Sequence, residues 1–107
     1  MSTLRRRRGE NVIVGEDISV TVLEMDRCEV KLGICASAGD GDGQLAGIRS
    51  NGSRYFLFPH GGPRTLVIRC ETGKTVSLNG TSRLTLLNIA AGDATFRLDP
   101  PATSHLS

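Results

Sequence analysis

At 107 residues the chain holds one domain or two very small ones. Hydrophobic residues make up 38% and tryptophan is absent, so a core must be mostly aliphatic. No apolar run approaches the roughly 18 residues of a membrane span. A formal charge of +2 is too mild to require a polyanionic partner, and distribution outweighs the total.

The chain opens on four consecutive arginines, Arg5 to Arg8, running into Gly9-Glu10. Residues 1–36 hold six basic and six acidic side chains, so this run is a local concentration within a neutral segment. An apolar h-region does not follow it, which argues against export. Instead, three β-patterned segments follow. Val12 and Val14 alternate with exposed slots in Asn11–Val14. Ile18, Val20 and Val22 share one face of Ile18–Met25, and Val30, Leu32 and Ile34 one face of Glu29–Ile34. Gly15-Glu16-Asp17 and Asp26-Arg27-Cys28 have the length and composition of hairpin connections.

The series L-x-R-R-x-G-E (Leu4, Arg6, Arg7, Gly9, Glu10), then V-I-V-G-E-D-I-x-V-T-V-L-E over 12–24 and V-K-L-G-I over 30–34, resembles the carbon storage regulator (Csr/Rsm) family of bacterial RNA-binding proteins. The resemblance implies an all-β, strand-exchanged dimer that binds GGA-containing loops in messenger RNA leaders or small RNAs and controls translation. It departs from the family after Ala36. The family's fifth strand, of the form V-x-V-H-R, and its C-terminal helix have no counterpart here: positions 42–44 read Asp-Gly-Gln.

From residue 37 the composition changes. Ser37–Gly43 is a glycine-rich linker or exposed loop, and its Gly-Asp-Gly-Asp-Gly run lacks the downstream glutamate of a calcium loop. A strand is expected over 54–60. Tyr55, Phe56 and Phe58 there suggest either one buried strand or, as the sharper alternative, a platform for unpaired bases.

The C-terminal part repeats the first at a shift of 64 residues. Arg5 falls on Arg69, Gly9 on Gly73, Val12 on Val76 and Thr21 on Thr85. Apolar positions stay in phase, with Leu4 on Ile68, Leu32 on Phe96 and Ile34 on Leu98. The expected organisation is a first repeat over 1–36, a connection over 37–65, and a degenerate second repeat over 66–107. Two copies could make a small antiparallel barrel or sandwich as a single-chain pseudo-dimer. The alternative is a homodimer formed through the first copies, with the second appended.

No catalytic motif is present, so an enzyme is not expected. Cys28, Cys35 and Cys70 form no CxxC pair and read as plain thiols of a cytoplasmic protein, with no metal or cofactor called for. The candidate site is the edge Leu4, Arg5, Arg6, Arg7 and Arg8. Guanidinium forks pair with phosphate oxygens and base edges and stack on unpaired bases. On a strand, Arg6 and Arg8 should face one way and Arg5 and Arg7 the other. In the second copy Cys70 and Glu71 replace Arg6 and Arg7, leaving one good half-site. The expected function is RNA-binding regulation of translation. The alternative is a protein-interaction module that kept the fold and lost RNA.

Overall fold

Alternation along short strands builds the whole molecule. The computed structural model describes residues 2–14, 18–36, 48–50, 54–57, 65–78 and 82–99, and every regular element among them is a strand. In β2 (Asn11–Val14) Val12 and Val14 turn inward. In β3 (Ile18–Met25) Ile18, Val20 and Val22 do so, and in β4 (Glu29–Ala36) Val30, Leu32 and Ile34. The same code serves β6 (Thr65–Glu71), β7 (Thr75–Ser77), β8 (Arg83–Ala90) and β9 (Asp93–Asp99). Before these come β1 (Ser2–Arg7) and β5 (Arg54–Leu57).

The strands form two antiparallel sheets, ordered β1-β9-β8-β7 and β2-β3-β4-β6-β5. The first strand of each half is thus lodged in the sheet of the other half. β1 pairs with β9, Leu4 opposite Phe96, and β6 pairs with β4, Ile68 opposite Leu32. Both registers are the same at a spacing of 64 residues. So are Asn11↔Thr21 and Thr75↔Thr85 in the β2–β3 and β7–β8 pairs. Each long hairpin carries one bulge, between Val22 and Glu24 and between Leu86 and Asn88. The extra residue resets the inward phase, so Met25 and Ile89 return to pack on the core.

One apolar cluster joins the two sheets, from Val12 through Ile48 to Leu98. Phe96 is the largest fully buried side chain, and burying it contributes roughly 2–3 kcal/mol. With no tryptophan in the chain, aliphatic side chains fill most of the remainder. Val67 is buried outside this cluster, on the opposite face of β6. On that face Leu23, the bulge residue, lies over Gly33, where an added Cβ would stand 3.0 Å from Leu23 Cδ1.

Two expectations need correction. The basic strand is Ser2–Arg7, not a strand through Arg8, because the chain turns at Arg8-Gly9. The aromatic strand is Arg54–Leu57; residues 58–60 of the expected 54–60 lie outside the described residues, as do the glycine-rich run from 37 and the tail from 100. Nor is that strand buried: Tyr55 and Phe56 are 46% and 37% exposed. It is a four-residue strand at the rim of a sheet, with a neighbour on one side only among the described residues.

Candidate nucleic-acid interface

The arginine strand ends in a turn that its own sequence dictates. Glu10 N–H donates to Arg7 O at 3.0 Å, and Gly9 between them sits at φ +90°, a value that side chains other than glycine's rarely tolerate. Space is not the constraint, since a Cβ at Gly9 would meet nothing within 4 Å. The Glu10 carboxylate accepts the Arg7 N–H at 2.8 Å, and Gly9 N–H donates to Val22 O at 2.7 Å. The Gly-Glu pair therefore fixes the corner at which β1 leaves one sheet and β2 enters the other.

Around that corner the arginines separate. Leu4 is half-buried opposite Phe96, and Arg6, two residues on, shares its face opposite Ala94. Arg6 folds back on the main chain, donating through Nε to Asn11 O (2.9 Å) and through one terminal nitrogen to Arg5 O (2.8 Å). Two of its five donors are thereby engaged and the plane of the guanidinium is fixed. Arg5 and Arg7 lie on the outer face, opposite Thr95 and Asp93. Arg7 Nε meets Asp93 Oδ1 at 3.3 Å, but its side chain is 75% exposed, so the pair is weak and open to exchange with another anion. Arg8 belongs to the turn instead of the Arg6 face, and among the described residues no hydrogen bond or ion pair holds its side chain. Two open cavities flank this turn. One, about 450 Å³, is lined by Arg5, Arg6, Gly9, Glu10 and Asn11. The other, about 440 Å³, includes Arg8, Met25, Arg27 and Ile89.

The equivalent corner of the second half has the same backbone and different chemistry. Gly73 sits at φ +88° and donates to Leu86 O at 2.7 Å. Arg69, in the place of Arg5, approaches Glu29 at 3.8 Å. Cys70, in the place of Arg6, directs its thiol at Lys74 O (3.6 Å) and Glu71 O (3.7 Å). Burial pushes that thiol up to about 11, and the neighbouring Glu71 charge pushes the same way. The edges differ as well. β5 covers the outer edge of β6, whereas among the described residues no strand pairs with the outer edge of β1. One corner is thus cationic with an open edge, and the other is closed and close to neutral.

Two features were not found from sequence. Arg97 lies between Thr3 and Thr85 on the outer face of the four-stranded sheet, and its Nε is buried without a partner. A single arginine in an alternating strand gives no sign of this. The second is the meeting of the β3–β4 and β8–β9 turns beside Arg8, which only the exchanged topology creates. Among the described residues no group of three or more His, Cys, Asp or Glu is placed to hold a metal. No helix among them is long and apolar enough to cross a membrane.

The model of the global regulator protein family CsrA matches residues 1–39, the stretch that contains β1 to β4 and the arginine corner. Over those residues the chain is similar to carbon storage regulators, which supports a Csr/Rsm-like RNA-binding regulator in general. The match covers the first 39 of 107 residues and leaves β5 to β9 outside it. Neither the curated proteins nor the solved structures match the chain.

Proposed function

We propose that the protein is a post-transcriptional regulator that recognises GGA-containing loops in messenger RNA leaders or small RNAs through Leu4, Arg5, Arg6, Arg7 and Arg8, and so alters translation or message stability. The observation that carries the reading is the open β1 edge with its arginine corner, inside the segment that the family model matches. Arg5 and Arg7 offer exposed guanidiniums to phosphates. Arg6 presents a fixed donor plane, and the unpaired main-chain groups of an edge strand can bond to base edges.

The chain is a tandem duplication folded as a single-chain pseudo-dimer, supported by the reciprocal placement of β1 and β6 and by registers that coincide at 64 residues. On this reading one RNA site operates per chain, since Cys70, Glu71 and the β5 cover have replaced its counterpart.

A mobility shift on a GGA stem-loop beside a scrambled loop tests the function. The GGA loop should bind preferentially, and replacing Arg6 and Arg7 by alanine should weaken it at least about tenfold. Equal binding to both loops, or none at low salt, favours the protein-interaction module instead.

A further inference from the structure

The two corners differ in one more way. In the second half, the turn after β6 is clipped to the β3–β4 turn. Thr72 N–H and Thr72 Oγ1 both donate to Cys28 O, at 2.9 and 3.2 Å. The pairing of Glu71 with Glu29 sets up this contact, and Arg7 paired with Asp93 sets up the equivalent one between Arg8 and Gly92. No such bond forms there among the described residues. The β8–β9 turn has a different backbone, with Ala91 at φ 55° and Gly92 at φ 82°, and a cavity of about 440 Å³ opens beside it. That size lies within the range of small-ligand sites, roughly 300–1,000 Å³.

The lining combines two chemistries. Met25 and Ile89 are half-buried against the core and supply an apolar surface. Arg8 and Arg27 supply charge, and neither side chain has an ion pair among the described residues. Asp26 also lines the cavity, and its Oδ1 accepts the Arg27 N–H at 2.6 Å. A simple inorganic anion would waste the apolar surface and meet the aspartate. An apolar peptide would leave two guanidiniums unanswered. A nucleotide satisfies both: its base covers Met25 and Ile89, its phosphate sits between the arginines, and an exocyclic amine can donate to Asp26.

We propose that this cavity receives an unstacked nucleotide immediately flanking the bound RNA loop, held by Arg8 and Arg27 at its phosphate and by Met25 and Ile89 at its base. The inference rests on the RNA reading above and adds to it a second contact, on the far side of the Arg8-Gly9 turn from the Arg5–Arg6 cavity. Arg8 lines this cavity and its chain neighbour Gly9 lines the other, so a strand leaving the β1 edge reaches this cavity across a single turn.

The test uses the full chain, wild type and Arg27→Ala, with two GGA stem-loops. One carries unpaired nucleotides on both sides of the GGA, and the other has abasic sites at those positions. Arg27 is exposed and engages its neighbour only through its main-chain amide, so the variant should melt like the wild type. On the complete loop Arg27→Ala should bind about fivefold to tenfold more weakly. On the abasic loop, which keeps its phosphates and lacks only the bases, wild type should bind about fivefold more weakly than on the complete loop, and Arg27→Ala should weaken binding to both loops. Equal affinity of the two proteins for the complete loop overturns the proposal while leaving the β1 site intact, and so does equal affinity of wild type for the complete and abasic loops. If wild type binds neither loop, the RNA reading falls with it. Adenosine monophosphate, titrated alone, should not saturate below millimolar concentration; saturation there would make the cavity a free-nucleotide site and overturn the assignment to RNA.

Discussion

At the scale of single residues, Ala91 is the one strained position among those described. It adopts φ 55° in a turn whose next residue, Gly92, is also left-handed, the pattern of a tight hairpin that favours Asn-Gly. Such a conformation costs an L-residue with a Cβ on the order of 1 kcal/mol, and asparagine tolerates it better. Ala91→Asn should therefore raise stability by about 0.5–1 kcal/mol, seen as a higher urea midpoint at unchanged slope. The cysteines give a second expectation. Cys28 is exposed, Cys35 is half-buried with its thiol 3.1 Å from Thr65 Oγ1, and Cys70 is buried. A thiol reagent should label Cys28 first and Cys70 only on unfolding. Cys70 also predicts a pH dependence. Its folded value is raised from 9.0 to about 11, so the folded state holds this proton more tightly than the unfolded one. Its contribution is fully present below pH 9 and is lost as pH rises towards 11. The urea midpoint of the wild type should fall more steeply across that window than that of Cys70→Ala.

At the scale of elements, the comparison of β1 with β6 decides most. Both are first strands of their halves and both pair with a fourth strand, yet among the described residues β6 is flanked on two sides and β1 on one. Amide exchange should show it: the β6 amides from Thr65 to Ile68 should be protected without alternation, while in β1 the outward-facing ones exchange fast. Adding the GGA loop should slow those β1 amides and leave β6 unchanged; slowing at β6 instead would move the site. The strands were legible beforehand because β-branched residues alternate in Asn11–Val14, Ile18–Met25 and Glu29–Ile34, and because a sheet with one buried face preserves that period. The glycine-glutamate corner was legible through the family pattern. What escaped was non-local. Alternation says which face of β1 is buried but not which strand lies beside it: the exchange of β1 could be expected only from the family resemblance, and the pairing of β5 with β6 left no mark in the sequence. The placement of Arg8 escaped for a local reason: strand alternation was extended one residue into a turn that Gly9 already specified. Arg97, Asp26 and Arg27 read as ordinary surface charges until the topology brought their neighbours together.

At the scale of the whole molecule, the exchange of first strands has a consequence for assembly. In a homodimer through first copies, β1 would have to leave β9 and β6 would have to leave β4, exposing Phe96 and Leu32 at the strands given up. Uncovering even one such core residue costs several kcal/mol, as the roughly 3–5 kcal/mol of a buried Phe→Ala change indicates. The single chain already supplies the partner beside β9 and the partner beside β4, so the protein should be a monomer of 11.4 kDa at micromolar concentration, measured by native mass or light scattering. Titration with the GGA stem-loop should saturate at one RNA per chain, because only the Arg5–Arg8 corner keeps both its charge and its open edge. The salt dependence should match a site of that size. Three or four phosphates on a single strand give a slope of log K against log salt of about −2 to −3. A particle of twice the mass binding two RNAs would place the exchange between chains and return the second corner to service. A monomer that binds one RNA with a slope near zero would instead remove phosphate contact from the mechanism and leave the loop bases to carry recognition.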